Sequence, residues 1–134
     1  MSAVSIVRSL LLAYQPLREL VPADDIVAGT VPDGILPAIG IKEVGGGELE
    51  TVGRAEGATL CRIRVQVTVY AKTYPEQKAL LHAAGLGRGV HSGTVDGFVV
   101  RSVLPAGIGP DLSDDDAGVY SQSRDFKVAY IQPH

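Results

Sequence analysis

Residues 60–71 constrain the fold more than any other stretch, because apolar and polar side chains alternate strictly along them. Cys, Ile, Val and Ala occupy every second position from Cys61, and Arg, Gln and Thr occupy most of the positions between them. A period of two puts the two sets on opposite faces of a β-strand. The pattern predicts a half-buried antiparallel strand, with one face against helices and the other against water or another subunit.

Two segments carry helical patterns. In residues 2–20 apolar residues recur at spacings of three and four, and Pro16 predicts a kink or break near Tyr14 and Gln15, because proline lacks an N–H and clashes with the preceding turn. A second helix follows Thr73, which forms a capping box with Glu76. Glycines at positions 85, 87 and 89 predict its end.

Four further segments are predicted to be strands: a short edge strand at 26–27, a strand from 37 to 41, and longer strands at 94–104 and 119–131. The segment 94–104 is apolar on both faces, which predicts a central or covered strand. One face is assigned Val95, Val99 and Val103, and the other is assigned Phe98, Val100 and Leu104. In the last strand Phe126, Val128 and Tyr130 share a face.

This order of elements predicts an α+β fold with two layers. We expect a mainly antiparallel sheet of four to five strands, with two α-helices packed on one face, in a single domain over residues 1–134. Long loops are predicted at 45–57, where five glycines and three glutamates accompany one arginine, and at 105–118, where three glycines and two prolines accompany four aspartates.

Composition narrows the function classes. The chain has 134 residues and a net charge of −3, a balance that argues against a broad phosphate-binding surface. Aromatic residues make up 5% with no Trp, so platforms for base stacking are not expected. The one cysteine, Cys61, excludes an internal disulfide and a cysteine metal cage. No signal peptide or membrane span is recognisable, so the expectation is a soluble cytoplasmic protein with no membrane partner.

No catalytic, cofactor or metal-binding motif emerges from the residues. The glycines at 85–89 close a helix, whereas a phosphate loop would open one. The acidic loop fails as a calcium loop, because Gly118 and Val119 stand where an oxygen ligand and a glycine are needed. The histidines lack the spacing of a metal site; they are His82, His91 and His134. The sequence predicts no cofactor and a protein that is not an enzyme.

The layout resembles the tail-completion or tail-terminator proteins of long-tailed bacteriophages and their prophage relatives. The resemblance covers nearly the whole chain as an arrangement of elements: the helix 4–20, the strand 37–41, the strand 60–71 ending in Tyr70 and Ala71 before a capped helix, and the acidic loop followed by residues 123–130.

The resemblance implies a structural virion protein that assembles as a homo-oligomeric ring, which is a hexamer in that family. Such a ring caps the tail tube when polymerisation stops and forms the docking surface for the filled head. Its implied partners are itself, the tail tube protein and the connector or neck proteins, without sequence-specific nucleic acid. The implied location is the host cytoplasm during assembly and then the virion, at the head–tail junction.

The distribution of charged residues along the sequence predicts an interface. Basic side chains on the outer face of the strand 60–71 are predicted to meet acidic loops of a neighbouring subunit or partner. The candidate residues are Arg62, Arg64, Glu48, Glu50, Arg54, Asp111, Asp114, Asp115 and Asp116. Three alternatives stay open: a head-side neck or head-completion protein, a small α+β ligand-binding domain or enzyme without a recognisable motif, and a homodimer with no phage role.

Overall fold

The alternating stretch forms the middle of a sheet in the computed structural model, which describes residues 2–32, 34–49, 58–87, 91–114 and 117–133. Strand β3 (Ala58–Ala71) pairs with β2 (Ala38–Leu49) on one side and with β7 (Val119–Pro133) on the other, both antiparallel. Its predicted inner residues are buried, from Cys61 through Ala71. The predicted facing of this strand is therefore confirmed.

Short strands complete the sheet. They are β1 (Ile26–Ala28), β4 (Gly93–Val95) and β6 (Leu112–Asp114), together with the longer β5 (Phe98–Ile108). The order is β1-β2-β3-β7-β5-β4, with β6 also pairing with β7, and β1 runs parallel to β2. The prediction of four to five mainly antiparallel strands was wrong in number, and the sheet is mixed. Strands of three residues are too short to show a period in the sequence.

The N-terminal helix breaks where Pro16 predicted. Helix α1 (Ser2–Ala13) ends before Tyr14, whose φ of −87° and ψ of 102° are extended, and α2 (Gln15–Arg18) follows with Pro16 in its first turn. Helix α3 (Tyr74–Ala83) is capped by Thr73, whose hydroxyl accepts a hydrogen bond from the Glu76 backbone N–H. The described chain thus has three α-helices where two were expected, because the break is complete.

The core lies between the helices and one face of the sheet. Ile6, Leu11 and Leu80 are fully buried on the helical side, and they belong to the same apolar cluster as Val65 and Phe126 of the sheet. On β7 the predicted inner residues Phe126, Val128 and Tyr130 are all buried. The opposite face of the sheet carries no helix of the described chain.

The segment predicted as one strand over 94–104 is a hairpin. Asp96 and Gly97 have φ of 51° and 81°, and they turn the chain between β4 and β5. A two-residue loop with positive φ at both positions suits Asp-Gly. An irregularity in the pairing between Val100 and Ser102 then places Val100 and Val103 in the core together, although they were assigned to opposite faces.

Both predicted long loops are shorter than expected. Residues 45–49 belong to β2, where the backbone of three consecutive glycines pairs with β3. Residues 50–57 lie outside the described residues. In the second loop, residues 105–108 continue β5 and residues 112–114 form β6.

Candidate functional site

The helix-free face of the sheet holds a groove of about 950 Å³, which we call the basic groove. Four cationic side chains line it, with two leucines beside them: Arg62, Arg64, Arg101, Lys127, Leu60 and Leu104. These residues come from β3, β5 and β7, which are neighbours in the sheet. On β3 and β7 the alternation that buries one face of the strand turns these side chains to the other.

Pairing of the strands aligns the groove residues in rows. Lys127 stands opposite Arg64 on β3 and opposite Leu104 on β5. Adjacent strands lie about 4.8 Å apart, so the cations of one row are close neighbours. Like charges at this spacing repel each other unless an anion intervenes.

Asp125 supplies that anion to Arg64. The Arg64 Nε donates to Asp125 Oδ2 at 2.6 Å, and a terminal guanidinium nitrogen donates to the Ala106 carbonyl oxygen at 2.7 Å. The Asp125 side chain is 16% exposed, so this ion pair is partly shielded from water. The charge of Arg64 is therefore already paired inside its own chain, and its contact with a partner stays a prediction.

Three cations of the groove have no acidic partner within the described part of the chain: Arg62, Arg101 and Lys127. All three are exposed. The sequence pattern identified Arg62 and could have identified Lys127, which stands between two inward residues of β7. Arg101 was not predictable from the alternation, because its orientation depends on the irregular pairing beside it.

Gly46 lets β2 lie directly against β3 at the floor of the groove. The β2 pairing is irregular between Glu43 and Gly45, and Gly46 has a φ of +107°. A Cβ at Gly46 would stand 2.3 Å from the Arg62 carbonyl oxygen. No side chain can occupy this position without moving backbone, and Gly46 is one of the residues that line the groove.

Asp111, one of the predicted acidic residues, lies away from the groove. The Asp111 carboxylate accepts hydrogen bonds from Lys78 and from the Tyr74 hydroxyl, on α3 and so on the helical side. The hydrogen bond from Lys78 lowers the pKa of Asp111, and the same bond raises the pKa of Lys78. The structure therefore does not bring Asp111 and Arg62 together within one chain.

The remaining candidates are local or undescribed. Asp114 Oδ1 accepts a hydrogen bond from the Ala117 N–H at 3.2 Å and so closes a turn. Glu48 lies in β2 at the register position of Cys61. The other four candidates fall outside the described residues; they are Glu50, Arg54, Asp115 and Asp116.

Two polar side chains, the buried Gln77 and the half-buried Arg124, tie α3 to β7 behind the groove. The Gln77 Nε2 donates to the Ser121 carbonyl oxygen at 2.7 Å, and an Arg124 terminal nitrogen donates to the Leu81 carbonyl oxygen at 2.9 Å. Burial lowers the pKa of Arg124. These bonds fix the helix against the strand that carries Lys127, and sequence reasoning had no signal for them.

Within the described ranges no cluster of three or more His, Cys, Asp or Glu side chains could hold a metal ion. None of the described helices is long and apolar enough to cross a membrane.

The Arg64–Asp125 pair gives a direct test of the groove geometry. Asp125→Asn should lower the free energy of unfolding by about 1–2 kcal/mol, because it weakens a charged hydrogen bond at a partly shielded site. Asp96→Asn is the matched control and should be nearly neutral, since Asn also accepts the positive φ of that turn. Urea denaturation measures both, and equal effects would contradict the shielded pair.

The sequence matches no family model and no curated protein. Among solved structures the fold matches a chain described as "Virion of native gene transfer agent (GTA) particle", with a TM-score of 0.70 and 13% identity. The match covers 95% of this chain and 92% of that one. At this identity the likeness establishes a shared fold.

Proposed function

We propose that the protein is a structural subunit of a virion, from a tailed phage or a phage-like particle, and that it is not an enzyme. The observation that carries this proposal is the match of 95% of the chain to a virion chain at a TM-score of 0.70. Coverage this complete on both sides supports the proposal, because the whole fold is shared rather than a fragment of a sheet.

Within the virion, we assign the protein to the head–tail junction as a tail terminator. The resemblance of its layout to that family supports this assignment, and it implies a ring, hexameric in the family, that caps the tail tube and docks the filled head. The partners would be other copies, the tail tube protein and the connector or neck proteins.

The basic groove supplies the contact chemistry for such a role. Arg62, Arg101 and Lys127 keep their charges exposed, beside the side chain of Leu104. A surface of this kind suits an acidic protein partner, because complementary charge sets register and partner choice while the leucine contributes apolar contact. The chain as a whole is acidic, with a net charge of −3, so another copy can supply the opposite charge.

The test is deletion of the gene from the phage or phage-like element that encodes the chain, with electron microscopy of the particles. We expect filled heads together with overlong or unjoined tails, and restoration by the intact gene. Arg62→Glu should restore joined particles poorly, because it reverses charge inside the groove. Arg18→Glu is the matched control at an exposed arginine of α2 and should restore them fully.

The other outcomes are distinct. Leaking or empty heads with tails of normal length would indicate a head-completion protein instead. Joined, infectious particles of normal tail length after outright deletion would exclude a role at the junction.

A further inference from the structure

We propose that neighbouring copies join edge to edge, with residues 42–49 of β2 in one copy pairing antiparallel with residues 101–104 of β5 in the next. This inference rests on the proposed ring and names the surface that builds it. The groove would then be bounded on its β5 side by β2 of a second copy.

Both strands have edges that are only partly paired. Strand β1 covers β2 over residues 39–41 alone, and β4 covers β5 over residues 98–100 alone. Beyond those points no described strand pairs with the free side of either strand. Pro105 ends the available part of β5, because proline has no N–H to donate. Rows of unpaired N–H and C=O groups are templates for another strand.

Strand directions make these two edges complementary. From β2 through β3 and β7 to β5, every neighbouring pair is antiparallel. Four alternating strands leave β2 and β5 pointing in opposite directions. Copies related by rotation about an axis along the strands would therefore place β2 of one beside β5 of the next in antiparallel pairing. Such a contact joins two different surfaces, and it closes into a ring when the rotation divides a full turn.

Exposed apolar side chains lie on the same two strands. Val44 on β2 is 44% exposed, and Leu104 on β5 is 40% exposed. Large apolar side chains on a sheet edge invite association, and natural edges are usually blunted by charge instead. Pairing of the two edges would remove these side chains from water.

Disulfide cross-linking tests the contact. The background is Cys61→Ala. Lys42→Cys or Val44→Cys is combined in one chain with Ser102→Cys or Leu104→Cys, which gives four variants. In paired strands the Cα atoms of facing residues lie about 4.4–6.8 Å apart, which is the distance that a disulfide spans. After mild oxidation at least one variant should give a ladder of covalent oligomers on a non-reducing gel. Each single-cysteine variant should give no ladder.

The matched control combines Leu104→Cys with Leu20→Cys. Leu20 is 42% exposed, but it follows α2 on the helical side. It should give no ladder. Leu104→Asp should also prevent assembly of the full chain, as measured by light scattering, whereas Leu20→Asp should leave assembly intact.

The outcomes separate this inference from the proposed function. One outcome is an oligomeric mass by light scattering without a ladder from any of the four pairs. It would overturn the edge contact and leave the tail-terminator role standing. A ladder that stops at dimers would indicate a two-fold contact and overturn the inference too. A protein that stays monomeric even on tail tubes would overturn both.

Discussion

Val67→Asp is expected to abolish folding. Val67 is fully buried in the middle of β3, between β2 and β7, and the new carboxylate would have no partner there. An unpaired charge in a core costs about 4–5 kcal/mol or more, which is comparable with the whole stability of about 5–15 kcal/mol of a typical domain. Circular dichroism and urea denaturation of the purified protein would measure the loss.

Arg62→Asp is the matched control, since it places the same carboxylate on the same strand but on the exposed face. This variant should remain folded, with a change in stability below about 1 kcal/mol. Comparable unfolding of both variants would contradict the assignment of the two faces of β3.

Long regular strands were predictable because their patterns repeat often enough to be unambiguous. The inward residues of β3 and β7, such as Val65 and Phe126, follow a period of two and are buried as expected. The break before α2 was predictable for a different reason, since Pro16 imposes it locally. In both cases the cause lies within a few residues of the effect.

The misassigned segments depend on pairing rather than on local pattern. The turn at Asp96 and Gly97 carries a hairpin signal, but apolar residues on both sides made it look continuous with one strand. The irregular pairing next to Arg101 then reverses the alternation. A one-residue shift moves every following side chain to the other face, and the sequence alone does not show where such a shift occurs.

The candidate site was only partly predictable for the same reason. Arg62 could be assigned to the outer face, but the Arg64–Asp125 pair joins residues 61 positions apart and requires the register of β3 with β7. The net charge of −3 also concealed the groove, because a sum over the whole chain does not show that four cationic side chains line one groove. Overall charge therefore excluded a broad basic surface without excluding a local one.

Gly46→Ala is expected to produce the second large effect. The new Cβ would meet the Arg62 carbonyl oxygen at 2.3 Å and the Ile63 Cα at 2.6 Å, and both are backbone atoms that cannot move aside alone. The φ of +107° is also one that L-residues rarely adopt. We expect the free energy of unfolding to fall by about 3 kcal/mol or more.

Gly45→Ala separates this contact from a general loss of glycine flexibility. A Cβ at Gly45 has nothing within 4 Å, so this variant should lie within about 1 kcal/mol of the original protein. If the two alanines had equal effects in urea denaturation, the close approach of β2 to β3 would not hold. Because Gly46 fixes the path of residues 42–49, its replacement should also prevent assembly of whatever folded protein remains, whereas Gly45→Ala should leave assembly intact. A folded Gly46→Ala protein that still formed rings would mean that the free edge of β2 is not part of the contact.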